Sequence, residues 1–225
     1  MAITVMNTLN PAEVRVLASL IEKDITTPDY YPLTLNALTN ACSQTSNRDP
    51  VIAFADQTVV RALDSLREKK LAYVFQGADS RVPKYGHRIA ECFSLARPEI
   101  AVLCTLMLRG PQTVGEIRGR SARMHSFQSL GEAEGVLDSL AARSPEALVV
   151  RLPRQLGMKE QRFAHLLAGE VPQPAADTET NPEAGVLEVR LENERLARLE
   201  EESAALRREI AELRREFTDF RKQLE

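Results

Sequence analysis

Residues 63–66 and residues 137–140 both read Leu-Asp-Ser-Leu, and each copy lies in an amphipathic segment that runs into a β-rich stretch. The first leads to Leu71-Ala72-Tyr73-Val74-Phe75 and the second to Leu148-Val149-Val150-Arg151-Leu152. The correspondence extends upstream. Val14, Val16, Leu17 and Leu20 match Ile100, Val102, Leu103 and Leu106, while Thr34, Leu35 and Leu38 match Thr113, Val114 and Ile117. A repeated supersecondary unit constrains a fold more than any single motif, because both copies must close the same helix and strand contacts. The order is three helices and a strand pair, twice over.

That order is the order of a winged helix-turn-helix module. The expected fold is therefore mainly α with small β wings (α+β): tandem winged helix-turn-helix repeats followed by a linker and a C-terminal coiled-coil helix. The first winged-helix repeat is placed at 1–94 and the second at 95–168, with a disordered or extended linker at 169–186 and the coiled coil at 187–225. Helices are expected at about 11–23, 33–43, 56–70, 97–109, 113–122 and 129–143. Their starts carry residues able to satisfy the orphan N–H groups of a first turn: Asn10-Pro11-Ala12-Glu13, Thr113 with Glu116, Ser129 with Glu132, and Asp56 as the cap of the third helix. The first wing is expected to run from Leu71 to Gln76, turn at Gly77-Ala78-Asp79-Ser80 and return through Arg81 to Tyr85; the second pairs Leu148–Leu152 with Arg162–Leu166. A long polar connection, Ser43 to Pro50, separates the second and third helices of the first repeat, and loops of that size in a small module often carry function.

From Ala168 the composition shifts to prolines and acids with almost no large apolar residue. A heptad seam follows, with Leu196, Ser203, Ile210, Phe217 and Leu224 at a and Leu199, Leu206, Leu213 and Phe220 at d. In a parallel pair the flanking positions set Arg195 against Glu200, Glu202 against Arg207, Glu209 against Arg214 and Glu216 against Arg221, all opposite in sign. An antiparallel pair would oppose like charges. A parallel homodimer through Leu196, Leu199, Leu206, Ile210, Leu213, Phe217, Phe220 and Leu224 is the expectation, against the alternative of a lone helix folded back on the globular part.

The net charge of −3 is unevenly spread. Residues 171–225 hold nine bases and fourteen acids, a net of −5, so residues 1–170 carry a net of +2. Cys42, Cys92 and Cys104 show no Cys-x-x-Cys spacing, and His87, His125 and His165 are far apart, so neither a metal nor another cofactor is expected. There is no Gly-rich phosphate loop, nucleophile elbow or supported Ser/His/Asp set, which points away from an enzyme. No apolar run has the length of a membrane span and no basic leader precedes one, so the cytoplasm is expected and no membrane partner.

Four stretches carry a resemblance. They are Leu20-Ile21-Glu22-Lys23 with Thr26 to Leu33, Ala41 to Val51, Arg81 to Tyr85, and Leu108 to Thr113 running on to Arg118–Met124. On these the chain resembles the YceH-like family of uncharacterised bacterial proteins over about residues 10–168. The resemblance implies a tandem winged-helix fold and carries no established activity with it; the tail is similar to the coiled coil that ends some members.

Two functions follow from the residues. Winged helices that read DNA place the third helix in the major groove and use the wing on the backbone. The first repeat offers Gln57, Thr58 and Arg61 on its third helix and Arg81, Lys84 and Arg88 on its wing, although Asp64 and Glu68 lie near the same face. The third helix of the second repeat exposes Glu132, Glu134 and Asp138 and suits DNA poorly. Its bases lie at the end of the second helix instead, where Arg118, Arg120 and Arg123, with Arg109 nearby, spread around the helix terminus. There they can clamp phosphates or an acidic partner, or pair with acids of the neighbouring repeat. One reading is a dimeric DNA-associated or transcription-regulatory protein contacting double-stranded DNA. The other is a non-enzymatic adaptor that meets only a protein partner.

Overall fold

The computed structural model describes residues 8–76, 82–154 and 160–169. Arg81, most of the linker and every residue of the heptad seam lie outside the described residues.

Helix α1 (Pro11–Thr26) begins as its sequence demands. The Asn10 carboxamide oxygen accepts from the N–H groups of Ala12 and Glu13, both at 3.0 Å, and Glu13 accepts in return from the Asn10 N–H at 2.7 Å. Every residue from Glu13 to Glu22 is buried, so α1 is covered on all sides, as a central helix must be. The charged members each have partners. Burial alone would raise the Glu13 carboxyl, but hydrogen bonds from Lys69, Ser65 and the Asn10 N–H, with the Lys69 charge 2.8 Å away, hold it below its ordinary value.

After a short 3-10 turn (Pro28–Tyr30) come β1 (Leu33–Thr34), α2 (Leu35–Cys42), α3 (Asp56–Glu68), β2 (Ala72–Phe75) and β3 (Lys84–His87). The helix expected to begin at residue 33 starts two residues later. Leu33 and Thr34 pair antiparallel with Tyr85 and Lys84, so β3 lies between β1 and β2 in a three-stranded sheet. Thr34 then caps α2 through its hydroxyl, which accepts from the Ala37 N–H. Asp56 is the first residue of α3 rather than its cap; Ala55 takes that position, and the Asp56 carboxylate accepts from the Thr39 hydroxyl at 2.6 Å. Lys70, at φ 60°, is left-handed just beyond α3 and turns the chain into β2. A five-residue helix not foreseen in the sequence, α4 (Ile89–Phe93), is pinned by the fully buried Ile89.

The second half contains α5 (Arg97–Arg109), α6 (Val114–Ser121), α7 (Leu130–Ala141) and the antiparallel pair β4 (Val149–Arg151) and β5 (Phe163–His165). Thr113 and Glu116 form the capping box of α6. Ser129 accepts from the Glu132 N–H at α7, while the Glu132 side chain returns to the Gln128 N–H instead of closing a box. Helix α5 is buried without a break from Ile100 to Leu108 and packs on α1, so the two halves share one core. Cys42 and Cys104 are part of that core. Among the described residues no helix is long and apolar enough to cross a membrane.

Candidate functional site

Helix α3 has two faces. Val59, Ala62, Leu63 and Leu66 recur at helical spacing and are buried against α1 and α2. Gln57, Thr58, Val60, Arg61 and Asp64 are exposed on the other side. Asp64 is engaged by Arg67 at 3.1 Å, yet among the described residues the side chains of Gln57 and Arg61 have no hydrogen-bond or ion-pair partner. Lys84 at the start of β3 is unpartnered in the same sense.

The sheet beside α3 is braced by aromatics. The Tyr31 hydroxyl accepts from the His87 N–H at 2.7 Å, and burial pushes that hydroxyl well above its usual range. Tyr73 is opposite Gly86 in the register, and a Cβ on Gly86 would stand 2.4 Å from the tyrosine ring. Glycine is required there because the ring covers its α-carbon. The Arg88 guanidinium sits 5.3 Å from the centre of the same ring, so a cation is held at the sheet edge by stacking.

Helix α7 presents the opposite chemistry, and it is occupied. Arg151 on β4 donates to Glu134 at 3.1 Å and Asp138 at 2.9 Å while lying over the Phe163 ring. Glu132 accepts from the Gln128 N–H at 2.6 Å and faces His125. The acids fasten the helix to its own half.

The arginines around α6 separate. Arg118 donates to the carbonyls of Phe127 and Gln128. Arg120 donates to the buried Gln112 at 2.9 Å and pairs with Glu116 at 3.1 Å, both in its own half. Arg123 is exposed and, among the described residues, has no hydrogen-bond or ion-pair partner. Arg109, Arg120 and Arg123 line one cleft with Glu22, Asn47 and Met124. Among the described residues, acids of the first half do not hold Arg118 or Arg120.

The cleft rests on residues that a search for surface bases passes over. Arg48 is buried, its side chain fully covered, donating to Ala41 O and Asn47 O and pairing with Glu22 at 2.6 Å. Arg15 reaches from α1 to Cys42 O and Pro50 O. The polar connection is thereby folded down, and its Asp49 N–H donates to Leu108 O at the end of α5. Asn47, at φ 57°, accepts from Arg109 at 2.5 Å. Burial, then the like charge of Arg120, pull Arg109 below the usual arginine value. The one advance signal was the unusual length and polarity of the 43–50 connection.

A family model described as "Protein of unknown function, DUF480" matches residues 9–158. The chain is 59% identical to a UPF0502 protein of Opitutus terrae over 77% of this chain and 76% of that one. It is 60% identical to a UPF0502 protein of Geotalea daltonii, covering 87% and 88% of the two chains. The protein belongs to this family of uncharacterised bacterial proteins, known as DUF480 or UPF0502.

Proposed function

We propose that the protein is a DNA-associated, regulatory tandem winged-helix protein of YceH-like type, contacting duplex DNA through α3 and the sheet beside it. The observation that carries this reading is the outward face of α3, where Gln57 and Arg61 are exposed and, among the described residues, unpartnered. Folding alone gives these groups nothing to bind, and glutamine and arginine are the side chains that reach adenine and guanine edges bidentately. Lys84 and the stacked Arg88 add cations for phosphate. The acids of α7 support leaving the second half out of base reading. The heptad pattern supports a parallel homodimer, which would offer two such faces to one duplex.

A second reading, a protein partner on the same face, is supported by three exposed apolar side chains next to it: Val51 (54%), Ile52 (45%) and Val60 (36%). Anisotropy of a labelled duplex titrated with the full chain over a salt series separates the two. On the DNA reading log Kd varies linearly with log salt, and Arg61→Gln weakens binding by about 1–3 kcal/mol if Arg61 reads a base, or flattens the slope by about one if it contacts phosphate. Absence of duplex affinity at low salt would end the DNA reading and leave the apolar patch as the lead. Light scattering tests the dimer: Phe217→Asp, which places a charge in the heptad seam, should give monomers.

A further inference from the structure

The arginine cleft has a use separate from the α3 face. Three arginines, Arg109, Arg120 and Arg123, line one depression between α1, the 43–50 connection, α5 and the end of α6. Two carboxylates adjoin it and both are committed: Glu22 to the buried Arg48 at 2.6 Å, and Glu116 to Arg120 at 3.1 Å. Asp49 also acts on Arg109, so, counting Lys23 beside Glu22 and the buried Arg48, five cations meet three anions. Arg109 and Arg120 are like charges in a half-buried setting, and Arg123 has no partner among the described residues.

We propose that this cleft binds the terminal phosphate of a small phosphorylated molecule. A phosphate monoester brings close to two negative charges and three acceptor oxygens, which matches convergent planar guanidinium donors better than a single carboxylate does. Two of the three donors are already oriented, Arg109 by Asn47 at 2.5 Å and Arg120 by Gln112 at 2.9 Å, so little ordering is lost when the anion enters. Leu108 and Met124 supply apolar wall, and Glu22, already paired with Arg48, lies at one side. A recessed site with an acid at one side suits a terminal phosphate on a short carbon skeleton and not the continuous diester backbone of a duplex.

The test is calorimetric titration of the full chain with glycerol 3-phosphate and with inorganic phosphate, against sodium chloride at equal ionic strength. Saturable binding of both phosphates is expected. Arg123→Gln should weaken it about tenfold or more without lowering the melting temperature, because that side chain has no hydrogen-bond or ion-pair partner among the described residues; Arg109→Gln should weaken it as much but also lower the melting temperature, because Arg109 holds Asn47. Arg61→Gln, on the α3 face, should leave phosphate binding unchanged, so failure here and failure of the DNA reading are distinguishable. Heat no greater than that of chloride would overturn the assignment. Equal weakening by Arg61→Gln and Arg123→Gln would also overturn it, showing diffuse attraction to a basic surface. Displacement of bound phosphate by a 20-base-pair duplex whose own affinity falls with Arg123→Gln would give the cleft to a backbone phosphodiester and overturn the small-molecule assignment.

Discussion

The two halves follow one chain order and spend their charged residues differently. In the first, the connection between the second and third helices is long and held from beneath by the buried arginines Arg15 and Arg48, and α3 turns to solvent Gln57 and Arg61, which have no partner among the described residues. In the second, the connection is short and fastened from the surface by Arg118, and the outward acids of α7 are bound by Arg151. The contrast teaches where to look for function. Acids that a fold has already paired are weak candidates for binding, whereas exposed groups left without partners among the described residues retain their full capacity to bind something else.

The contrast between buried and surface fastening can be broken most forcefully at Arg48. Arg48→Met removes the guanidinium's hydrogen bonds to Ala41, Gln44 and Asn47 and takes from Glu22 its 2.6 Å partner, and should cost about 3–5 kcal/mol in denaturant unfolding. Its surface counterpart, Arg118→Met, should cost no more than about 1.5 kcal/mol. Equal losses would show that the two connections are held alike after all.

The next effect depends on pH and belongs to the second half. Burial depresses His165 on β5 to about 4 from an ordinary 6.5. The unfolded chain therefore takes up this proton at higher pH than the folded one. The stabilisation is complete above about pH 6.5 and drains as pH falls through that value toward 4, where about 3 kcal/mol has been lost. Stability curves of the full chain and of His165→Phe should diverge over that window, with the variant the flatter; parallel curves would remove His165 from the account.

The smallest effect sharpens the contrast between α3 and α7. Glu134→Gln with Asp138→Gln releases Arg151 from a half-exposed pair of bridges and should cost about 1 kcal/mol or less. Duplex affinity should stay the same or rise, since like charge is removed from a face near phosphate. A loss of affinity in folded protein would make α7 a binding element and erase the distinction between the halves.

Much of the fold was legible because its signals are local. The capping residues at Asn10, Thr113 and Ser129 act within one turn, and the apolar spacing of α3 and α5 needs only helical geometry. What escaped was contact at a distance. Leu33 and Thr34 join a sheet only because β3 arrives to pair Tyr85 with Leu33 and Lys84 with Thr34, far along the chain, and a two-residue strand has no periodicity to read. For the same reason Arg15 and Arg48 were invisible as supports, since an arginine in a polar stretch gives no sign that carbonyls will close around it. The bases at 118, 120 and 123 were expected to spread around a helix end, which α6 bears out. That only Arg120 and Arg123 would share a cleft with Arg109 required knowing where the end of α5 comes to rest.

The all-round burial of both α1 and α5 sets the unit of folding. Each of these helices has its exposed flank taken away by the other half, so neither set of three helices could be cut out without baring an apolar stripe to water. Chemical unfolding followed by helix signal and by a probe in either half should then trace the same curve, one transition for the pair. A duplicated pattern in sequence has become a single thermodynamic object, and damage to either half is felt in both.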